Sequence, residues 1–328
     1  MSLGIPNLNS GLEQELVADM ARVEDLLRSH IVGKYPLVIE TSRHLVEAGG
    51  KRLRPLLTLL SAQFGNLKND DVIKAAVVCE LTHLATLYHD DVMDEAPLRR
   101  GVESANNRWG NTVAILTGDY LFAKTSALLA DLGPEAVRIH AQTFERLVIG
   151  QIMETQGSTK GLPLLEHYIQ VIADKTGSLI ATSARYGAIF AGASAHDIET
   201  LTHYGEKIGV LFQLADDIID IASESDESGK TPGTDLREGV PTMVTMHILE
   251  SSDPADLALK TILSSPIHDE EVVATTLKQL RNHHAMNLSR KMLIQYADEA
   301  KELIKNLKDC PAKDALISLC DAIVTRTS

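Results

Sequence analysis

Apolar positions recur three and four residues apart through most of the chain, which is the spacing of one face of a helix. The first run predicts an amphipathic helix after a short leader, residues 1–11, with apolar positions Leu12, Leu16, Met20, Val23 and Leu27. A second predicted helix, roughly 35–48, ends at Gly49-Gly50, a pair that favours helix termination. Pro55 then suits the first turn of a third helix.

Longer apolar runs predict helices at about 70–94, 111–130, 135–153 and 164–191, another through Tyr204 to Asp220, and more beyond Met243. Residues 222–241 are polar and have no periodicity, and we interpret them as a mobile lid. No strand-like alternation of useful length occurs. The pattern predicts an all-α fold, a single large helical-bundle domain over residues 1–328 with a central cavity.

Two acidic stretches stand out, Asp90-Asp91-Val92-Met93-Asp94 and Asp216-Asp217-Ile218-Ile219-Asp220. Because residues three and four apart share a helix face, each stretch stacks its carboxylates on one side. Like charges repel, so this arrangement favours a bound cation, and oxygen ligands suit Mg²⁺. An acidic helix face is usually only solvated, but two copies, each after an apolar run, predict a magnesium site. We expect the two stretches to face each other across the cavity.

Composition narrows the function further. Hydrophobic residues make up 44% and charged residues 23%, which is typical of a soluble globular protein, and aromatics are only 4%. The formal net charge of −14 argues against a nucleic-acid partner, whose phosphates require a basic surface. In so acidic a chain, local basic clusters are candidate sites for an anionic substrate.

Cellular location is inferred from what the sequence lacks. The cysteines Cys79, Cys310 and Cys320 have no metal-ligand spacing and suit reduced thiols. The first ten residues show no signal-peptide pattern, and no uninterrupted apolar run reaches the length of a membrane span. We expect a cytoplasmic protein without a transmembrane segment.

Two basic clusters lie near predicted helix starts or acidic residues. Lys51, Arg52 and Arg54 precede an apolar helix, where free N–H groups favour an anion, although a solvated basic turn is the alternative. Arg99 and Arg100 follow the first acidic stretch on a predicted loop. They could pair with the aspartates or clamp a phosphate in a bidentate manner.

The order of these stretches resembles one known family, the trans-polyprenyl diphosphate synthases, and in particular the long-chain type. The resemblance spans nearly the whole chain and rests on 49–55 (GGKRLRP), 89–94 (HDDVMD), 99–101 (RRG), Lys175-Thr176 and 212–220 (FQLADDIID). It implies an enzyme that condenses isopentenyl diphosphate with an allylic diphosphate (geranyl, farnesyl or geranylgeranyl), and a homodimer.

The family roles transfer position by position. The resemblance implies three Mg²⁺ ions held by Asp90, Asp94 and Asp216, supported by Asp91, Asp217 and Asp220. It implies that the allylic diphosphate is contacted by Arg99, Lys175 and Lys230. It implies that the diphosphate of isopentenyl diphosphate is bound by Lys51, Arg54, His83 and Arg100. The path of the developing allylic cation would be lined by Thr176, Gln213 and the region of Lys175.

The end of the predicted lid departs from the family pattern at one position. The family often has a lysine after the Arg-Glu-Gly near the end of the lid, but here Val240 follows Gly239. A cationic contact is therefore missing or supplied elsewhere, and Arg237 is a candidate.

His89 beside the first acidic stretch suggests a transition-metal site, which we reject because no second histidine lies at ligand spacing.

Product length depends on the residues one and two turns before Asp90. Thr82, Ala85 and Thr86 are all small, whereas short-chain relatives carry bulky aromatics at the last two positions. The hypothesis is a deep pocket and a product of C30 to C50, of the kind used for quinone side chains. Small residues could instead ease close helix packing, and a C15 to C25 product is the alternative.

Two other functions share part of this pattern. A terpene cyclase shares the first acidic motif, but its second motif usually differs from the repeated Asp-Asp-x-x-Asp found here. A non-catalytic partner subunit of a heteromeric synthase tends to lose motif residues, whereas this chain keeps them. Both are tested by the activity of the purified chain.

Overall fold

A computed structural model describes residues 3–65, 69–158, 163–223 and 232–327. This part of the chain is mostly helical, which confirms the predicted all-α class. The helices are α1 Ser10–His30, α2 Pro36–Glu47, α3 Leu53–Ala62, α4 Asp70–Met93, α5 Ala105–Trp109, α6 Asn111–Leu132, α7 Pro134–Gln156, α8 Leu164–Ile172, α9 Ser178–Phe190, α10 Ala195–Ala222, α11 Thr234–Glu238, α12 Met243–Glu250, α13 Leu257–Leu263, α14 Glu270–Asn282, α15 His284–Leu303 and α16 Pro311–Thr325.

Four short elements correct the sequence-based interpretation. The predicted loop after the first acidic stretch contains an antiparallel pair, β1 Leu98–Arg99 and β2 Val102–Glu103, followed by α5. The predicted lid region contains α11, and residues 224–231 lie outside the described part of the chain. Such short elements complete too few turns or alternations to produce a periodic signal.

A further correction concerns the long helix predicted at 164–191. The structure divides it into α8 and α9, joined by a π-helical turn at Ala173–Gly177. Apolar residues continue on both sides of this short turn, so the extra residue is invisible in the sequence. A π turn inside a helix frequently marks a functional site, and this one carries Lys175 and Thr176.

The described chain forms two compact units. The first unit comprises Met1–Phe144, Leu179–Gly205 and Asn306–Leu316. Helix α4 is its centre, buried along most of its length and packed against α1, α3 and α6. The Asn9 side chain caps α1, whose five predicted apolar positions are all buried. This core holds the first acidic stretch at the end of α4.

The second unit comprises Glu145–Ser178, Glu206–Lys305 and Ile317–Ser328. Here α12 packs against α8, α13 and α15, and α8 continues into the π turn. Thr242 and Thr245 form a reciprocal capping box at the start of α12. The second acidic stretch lies in this unit, in the last two turns of α10. The prediction of one domain over 1–328 stays a prediction.

Candidate active site

The first acidic stretch forms the last turn of α4. The Asn69 side chain caps this helix by accepting a hydrogen bond from the Asp71 backbone N–H. The Asp94 backbone N–H donates to the Asp90 carbonyl oxygen at 2.8 Å, so these two residues stack one turn apart, as predicted. Asp94 is exposed and Asp90 half-buried, whereas Asp91 is buried. Asp90 and Asp94 are therefore in contact with solvent, and Asp91 faces the protein.

Asp91 is held by Arg99. Arg99 Nε donates to Asp91 Oδ1 at 2.5 Å. Burial raises the pKa of the Asp91 carboxyl, and the Arg99 guanidinium opposes this shift. Asp91 Oδ2 has no hydrogen-bond partner among the residues that the structure describes. Of the two alternatives for Arg99, the structure contains the intramolecular pair.

The β1–β2 hairpin directs Arg100 towards the Gly-Gly turn. Arg100 and Gly101 form the turn with φ angles of 54° and 77°. Arg100 Nη1 donates to the Leu45 carbonyl oxygen at 2.8 Å and also to that of Gly49. A β-carbon on Gly50 would lie 2.7 Å from Arg100 Cζ. The Gly-Gly pair therefore ends a helix and also leaves room for this guanidinium.

Arg52 has a structural role that the sequence did not reveal. Its side chain is 3% exposed and donates to Glu24 at 2.5 Å and to Glu80 at 2.9 Å. It also donates to the carbonyl oxygens of Val46 and Gly49. Because Glu24 and Glu80 come from α1 and α4, no local spacing could have shown this pairing. Of the three cations in the basic turn, Arg52 therefore pairs with carboxylates of the protein itself.

The remaining cations gather around His83. Burial, together with Arg54, Arg100, Arg99 and Arg52, lowers the pKa of His83 well below its usual value, so the imidazole is neutral at neutral pH. Burial also lowers the pKa of Arg54, whose Nε has no hydrogen-bond partner in the described chain. Lys51 is exposed. This cluster of positive charge has the chemistry of an anion site, and it includes Arg54, His83 and Arg100, three of the four residues predicted for the isopentenyl diphosphate.

In the second unit, each aspartate of the second acidic stretch accepts different hydrogen bonds. Asp216 accepts one from Arg326 at 3.0 Å. Asp217 is buried and accepts from the Tyr168 hydroxyl, from Gln213 Nε2 at 3.1 Å and from the Met243 N–H at 3.3 Å. Burial raises the pKa of the Asp217 carboxyl. The same side chain therefore ties α8, α10 and the start of α12 together.

Asp220 caps the short helix α11. Its carboxylate accepts from the backbone N–H groups of Thr234 at 3.2 Å and Asp235 at 3.3 Å. The Gly233 N–H donates to the Asp220 carbonyl oxygen at 3.0 Å. The described end of the predicted lid is therefore fastened directly to the second acidic stretch.

A cavity of about 150 Å³ lies beside the second acidic stretch. Its wall contains Lys175, Thr176 and Gln213, the three residues predicted to line the path of the allylic cation, and also Asp217. The other residues of the wall were not predicted for the cation path, and they include Glu154, Tyr168, Asp235 and Val240. A more open surface groove along α10 and α15 contains none of the predicted site residues.

The lid was predicted to supply two cations to the site, Lys230 and Arg237. Lys230 lies outside the described residues. Arg237 does not line the cavity, because its guanidinium donates to the two carboxylate oxygens of Glu270 at 2.8 and 2.7 Å. Val240, where the family often has a lysine, does line it. The described cavity wall therefore has one cation, Lys175.

The three small residues predicted to line a product pocket lie on α4. Thr82 and Ala85 are fully buried, and Thr86 is partly buried. A β-carbon on Gly118 of α6 would lie 3.0 Å from the Ala85 carbonyl oxygen and 2.6 Å from His89 Cδ2. The helices α4 and α6 thus approach closely at Ala85, where Gly118 leaves room for the α4 backbone. The pocket itself stays a prediction.

The donor chemistry of both acidic stretches fits Mg²⁺. Within residues 3–65, 69–158, 163–223 and 232–327, no three His, Cys, Asp or Glu side chains converge to hold an ion by themselves. Magnesium usually takes only one or two protein carboxylates and completes its shell with water and substrate phosphates. Asp90 and Asp94, one turn apart, and the unpaired Asp91 Oδ2 suit that mode. Asp217, which already accepts three hydrogen bonds, suits it less.

Comparison with known proteins identifies the family. The polyprenyl synthetase family model matches residues 35–280. The chain belongs to this family. It is 48% identical over 310 residues to the nonaprenyl diphosphate synthase of Mycobacterium tuberculosis, covering 94% of this chain and 92% of that protein. The family members are prenyltransferases, and so is this chain.

Solved structures of two members are similar throughout. A geranylgeranyl pyrophosphate synthase from Corynebacterium glutamicum, complexed with calcium and isoprenyl diphosphate, is 41% identical, with a TM-score of 0.86 and coverage of 97% of this chain and 98% of that one. A decaprenyl diphosphate synthase from Rhodobacter capsulatus is 32% identical, with a TM-score of 0.88 and the same coverage. Relatives with short and long products thus share one polyprenyl synthetase fold.

Proposed function

We propose that this prenyltransferase condenses isopentenyl diphosphate with an allylic diphosphate and releases a long-chain all-trans polyprenyl diphosphate. One observation carries the proposal. The first unit assembles Arg54, His83 and Arg100 into a cationic cluster close to Asp90, although about fifty residues separate them along the chain. A cation cluster beside metal-binding carboxylates suits an enzyme that handles two diphosphates.

The diphosphates are divided between these groups. Lys51, Arg54, His83 and Arg100 bind the diphosphate of isopentenyl diphosphate, and neutral His83 serves as a hydrogen-bond partner rather than a charge. The allylic diphosphate is contacted by Arg99, Lys175 and Lys230. In this assignment Arg99 retains Asp91 or exchanges it for phosphate, because a guanidinium presents donors on two edges.

Mg²⁺ would be held by Asp90, Asp94 and Asp216, with Asp91, Asp217 and Asp220 in supporting positions. When bound, it neutralises the negative charge that develops on the departing diphosphate. The calcium complex of the Corynebacterium glutamicum relative supports a divalent ion in this family. We assign three Mg²⁺ ions to the site, as the resemblance implies.

The reaction needs no nucleophilic side chain. The allylic C–O bond breaks with its electron pair leaving on the diphosphate oxygen. The double bond of isopentenyl diphosphate then forms the new C–C bond, and a proton leaves to the released diphosphate. Thr176 and Gln213 on the cavity wall orient the allylic cation and exclude water from it.

We place the product between C30 and C50. Small side chains at Ala85 and Thr86 and the 48% identity to a nonaprenyl diphosphate synthase support this range. Each turn of α4 offers about 5.4 Å of wall, close to one extended isoprene group. A C15 to C25 product is the alternative, because a geranylgeranyl pyrophosphate synthase is 41% identical.

We propose that the functional form is a cytoplasmic homodimer whose contact surface includes α6. Within the described part of the chain, α6 is long and apolar enough to cross a membrane by length and composition alone, yet only 39% of that apolar window is buried. One face packs on α4, whereas Ile115 and Leu116 are 42% and 60% exposed. Association of two copies would remove this apolar surface from water.

Dependence on both substrates tests the proposal. Purified chain, Mg²⁺, an allylic primer and radiolabelled isopentenyl diphosphate should yield labelled polyprenyl diphosphate, with no product when either substrate is omitted. A hydrocarbon formed without isopentenyl diphosphate would identify a cyclase instead. Inactivity of the chain alone would favour a subunit of a heteromeric synthase, a relationship raised by its 34% identity to a heptaprenyl diphosphate synthase component 2.

A further inference from the structure

One face of α7 meets the π turn that carries Lys175. Arg146, Gly150 and Glu154 follow one another at intervals of four residues and therefore share a stripe along that helix. All three contact the π turn or its side chains, each in a different way. None of the three belongs to the motifs that carry the family resemblance.

Gly150 sets the distance between α7 and the turn. This residue is buried, and a β-carbon added to it would lie 2.9 Å from Lys175 Cα and closer still to the Lys175 backbone nitrogen. Contacts this short to backbone atoms leave no room for a side chain. The two backbones therefore touch only because position 150 is glycine.

Arg146 holds one side of the turn through Asp174. Arg146 Nε donates to Asp174 Oδ1 at 2.8 Å, and its Nη2 donates to Glu206 at 2.5 Å. Gln170 Nε2 donates to the other oxygen of Asp174 at 2.7 Å. The residue immediately before Lys175 is thus fixed from α7 and α8, and Glu206 on α10 holds the Arg146 guanidinium in place.

Glu154 fixes the side chain of Lys175 itself. The Lys175 ammonium donates to Glu154 Oε2, and Gln151 Nε2 donates to the same oxygen at 3.2 Å. The side chains of Lys175 and Glu154 are only 28% and 22% exposed, and both line the cavity. A lysine side chain has four rotatable bonds, and without a partner it would spread over many rotamers.

We propose that Arg146, Gly150 and Glu154 form a positioning stripe that holds Lys175 at the cavity wall, and that Glu154 is a positioning residue for the allylic half of the reaction. This inference rests on the proposed function, in which Lys175 contacts the allylic diphosphate. Glu154 keeps the ammonium directed at the cavity, where negative charge develops on the departing diphosphate. Its own carboxylate needs no contact with the substrate.

A double-mutant cycle tests this role. Glu154→Gln keeps the size of the side chain and removes its charge, and it should lower kcat/KM for the allylic substrate about 10- to 100-fold. KM for isopentenyl diphosphate should change less than about twofold. In a Lys175→Gln background, adding Glu154→Gln should cost less than about twofold more, because Glu154 acts through Lys175.

Two further measurements separate positioning from general damage. Affinity for an unreactive allylic thiolodiphosphate, measured by calorimetry, should fall in Glu154→Gln while the melting temperature stays within about 2 °C of the wild type. Glu145→Gln, an exposed position on the same helix, is the matched control and should retain wild-type kinetics. If the melting temperature of Glu154→Gln is much lower than that of the wild type, the double-mutant cycle is repeated with Glu154→Asp. This variant keeps the charge and is shorter by one methylene.

The outcomes are distinguishable. Wild-type kinetics in the Glu154 variants, or a full effect of Glu154→Gln on top of Lys175→Gln, would overturn the inference and leave the proposed function standing. A wild-type chain inactive with every primer would overturn the proposed function. A loss of activity that follows the melting temperature in both Glu154 variants would make Glu154 structural and would also overturn the inference.

Discussion

At the scale of single residues, burial separates side chains that look alike in the sequence. Arg52 and Arg54 are two residues apart, yet Arg52 is saturated by Glu24 and Glu80, whereas Arg54 Nε has no hydrogen-bond partner in the described chain. A buried N–H donor without a partner, such as Arg54 Nε, is costly unless an anion completes its hydrogen bond. Arg54 is therefore the better candidate for substrate binding, and Arg52 supports the turn.

His140 on α7 gives a pH prediction. Its Nδ1 has no hydrogen-bond partner among the described residues, and burial lowers its pKa to about 4. In the unfolded chain a histidine has a pKa near 6.5. Below that pH the unfolded state therefore binds a proton at His140, whereas the folded state does not until the pH approaches about 4. Stability from this group is therefore lost as the pH falls from about 6.5 towards 4.

Urea unfolding at two pH values checks the prediction for His140. Between pH 7 and 5 the free energy of unfolding should fall by about 2 kcal/mol more in the wild type than in His140→Gln. His196→Gln, at an exposed position, should keep the wild-type pH dependence. The same pH dependence in wild type and His140→Gln would show that this histidine titrates normally.

Arg326 gives a prediction about metal affinity. Its guanidinium lies 3.0 Å from Asp216 and 5.3 Å from the centre of the Phe212 ring, so a cation already occupies this carboxylate. Because exposed ion pairs contribute about 0.2–1 kcal/mol, Arg326→Gln should tighten Mn²⁺ binding about two- to fivefold in a titration followed by electron paramagnetic resonance. Lys308→Gln, an exposed control with the same charge change, should shift the affinity less. Equal changes in Mn²⁺ affinity in Arg326→Gln and Lys308→Gln would show that the effect comes from the net charge of the protein and not from the Arg326–Asp216 pair.

At the scale of elements, periodicity predicts a helix and its buried face only where the helix is long. The five apolar positions of α1 are all buried, as the spacing predicted. The hairpin, α5, α11 and the π turn were missed because each is too short to repeat a pattern. Partners such as Tyr168 for Asp217 and Glu154 for Lys175 were missed because they come from other helices, and a single sequence gives no register between helices.

Gly150 gives a prediction at this scale. Gly150→Ala places a methyl group against the Lys175 backbone, so α7 and the π turn must separate, at a cost of about 1–3 kcal/mol or more in the free energy of unfolding. Gly177→Ala is the matched control, because its β-carbon would meet nothing closer than 3.5 Å. Chemical denaturation of both variants should show a large loss only for Gly150→Ala. Equal losses would contradict the close approach of α7 to the turn.

At the scale of the whole molecule, the sequence predicted the fold class and the family but could not show which surfaces remain uncovered. Exposed Leu116 lies on the most apolar long helix, whose other face packs on α4. If two copies associate through α6, Leu116→Glu should convert the dimer into a monomer in size-exclusion chromatography with light scattering. Leu257→Glu, at an equally exposed apolar position on α13, should leave the assembly unchanged. A wild type that elutes as a monomer would contradict the proposed dimer.

The central claim is that this chain alone elongates an allylic diphosphate with isopentenyl diphosphate to a long all-trans product. Mass spectrometry of the products formed from purified protein, Mg²⁺, isopentenyl diphosphate and each of three primers (geranyl, farnesyl and geranylgeranyl diphosphate) tests it most directly. The account predicts a series spaced by five carbons that ends between C30 and C50 with every accepted primer. A series that stops at C25 or below, or no product at all, would contradict it.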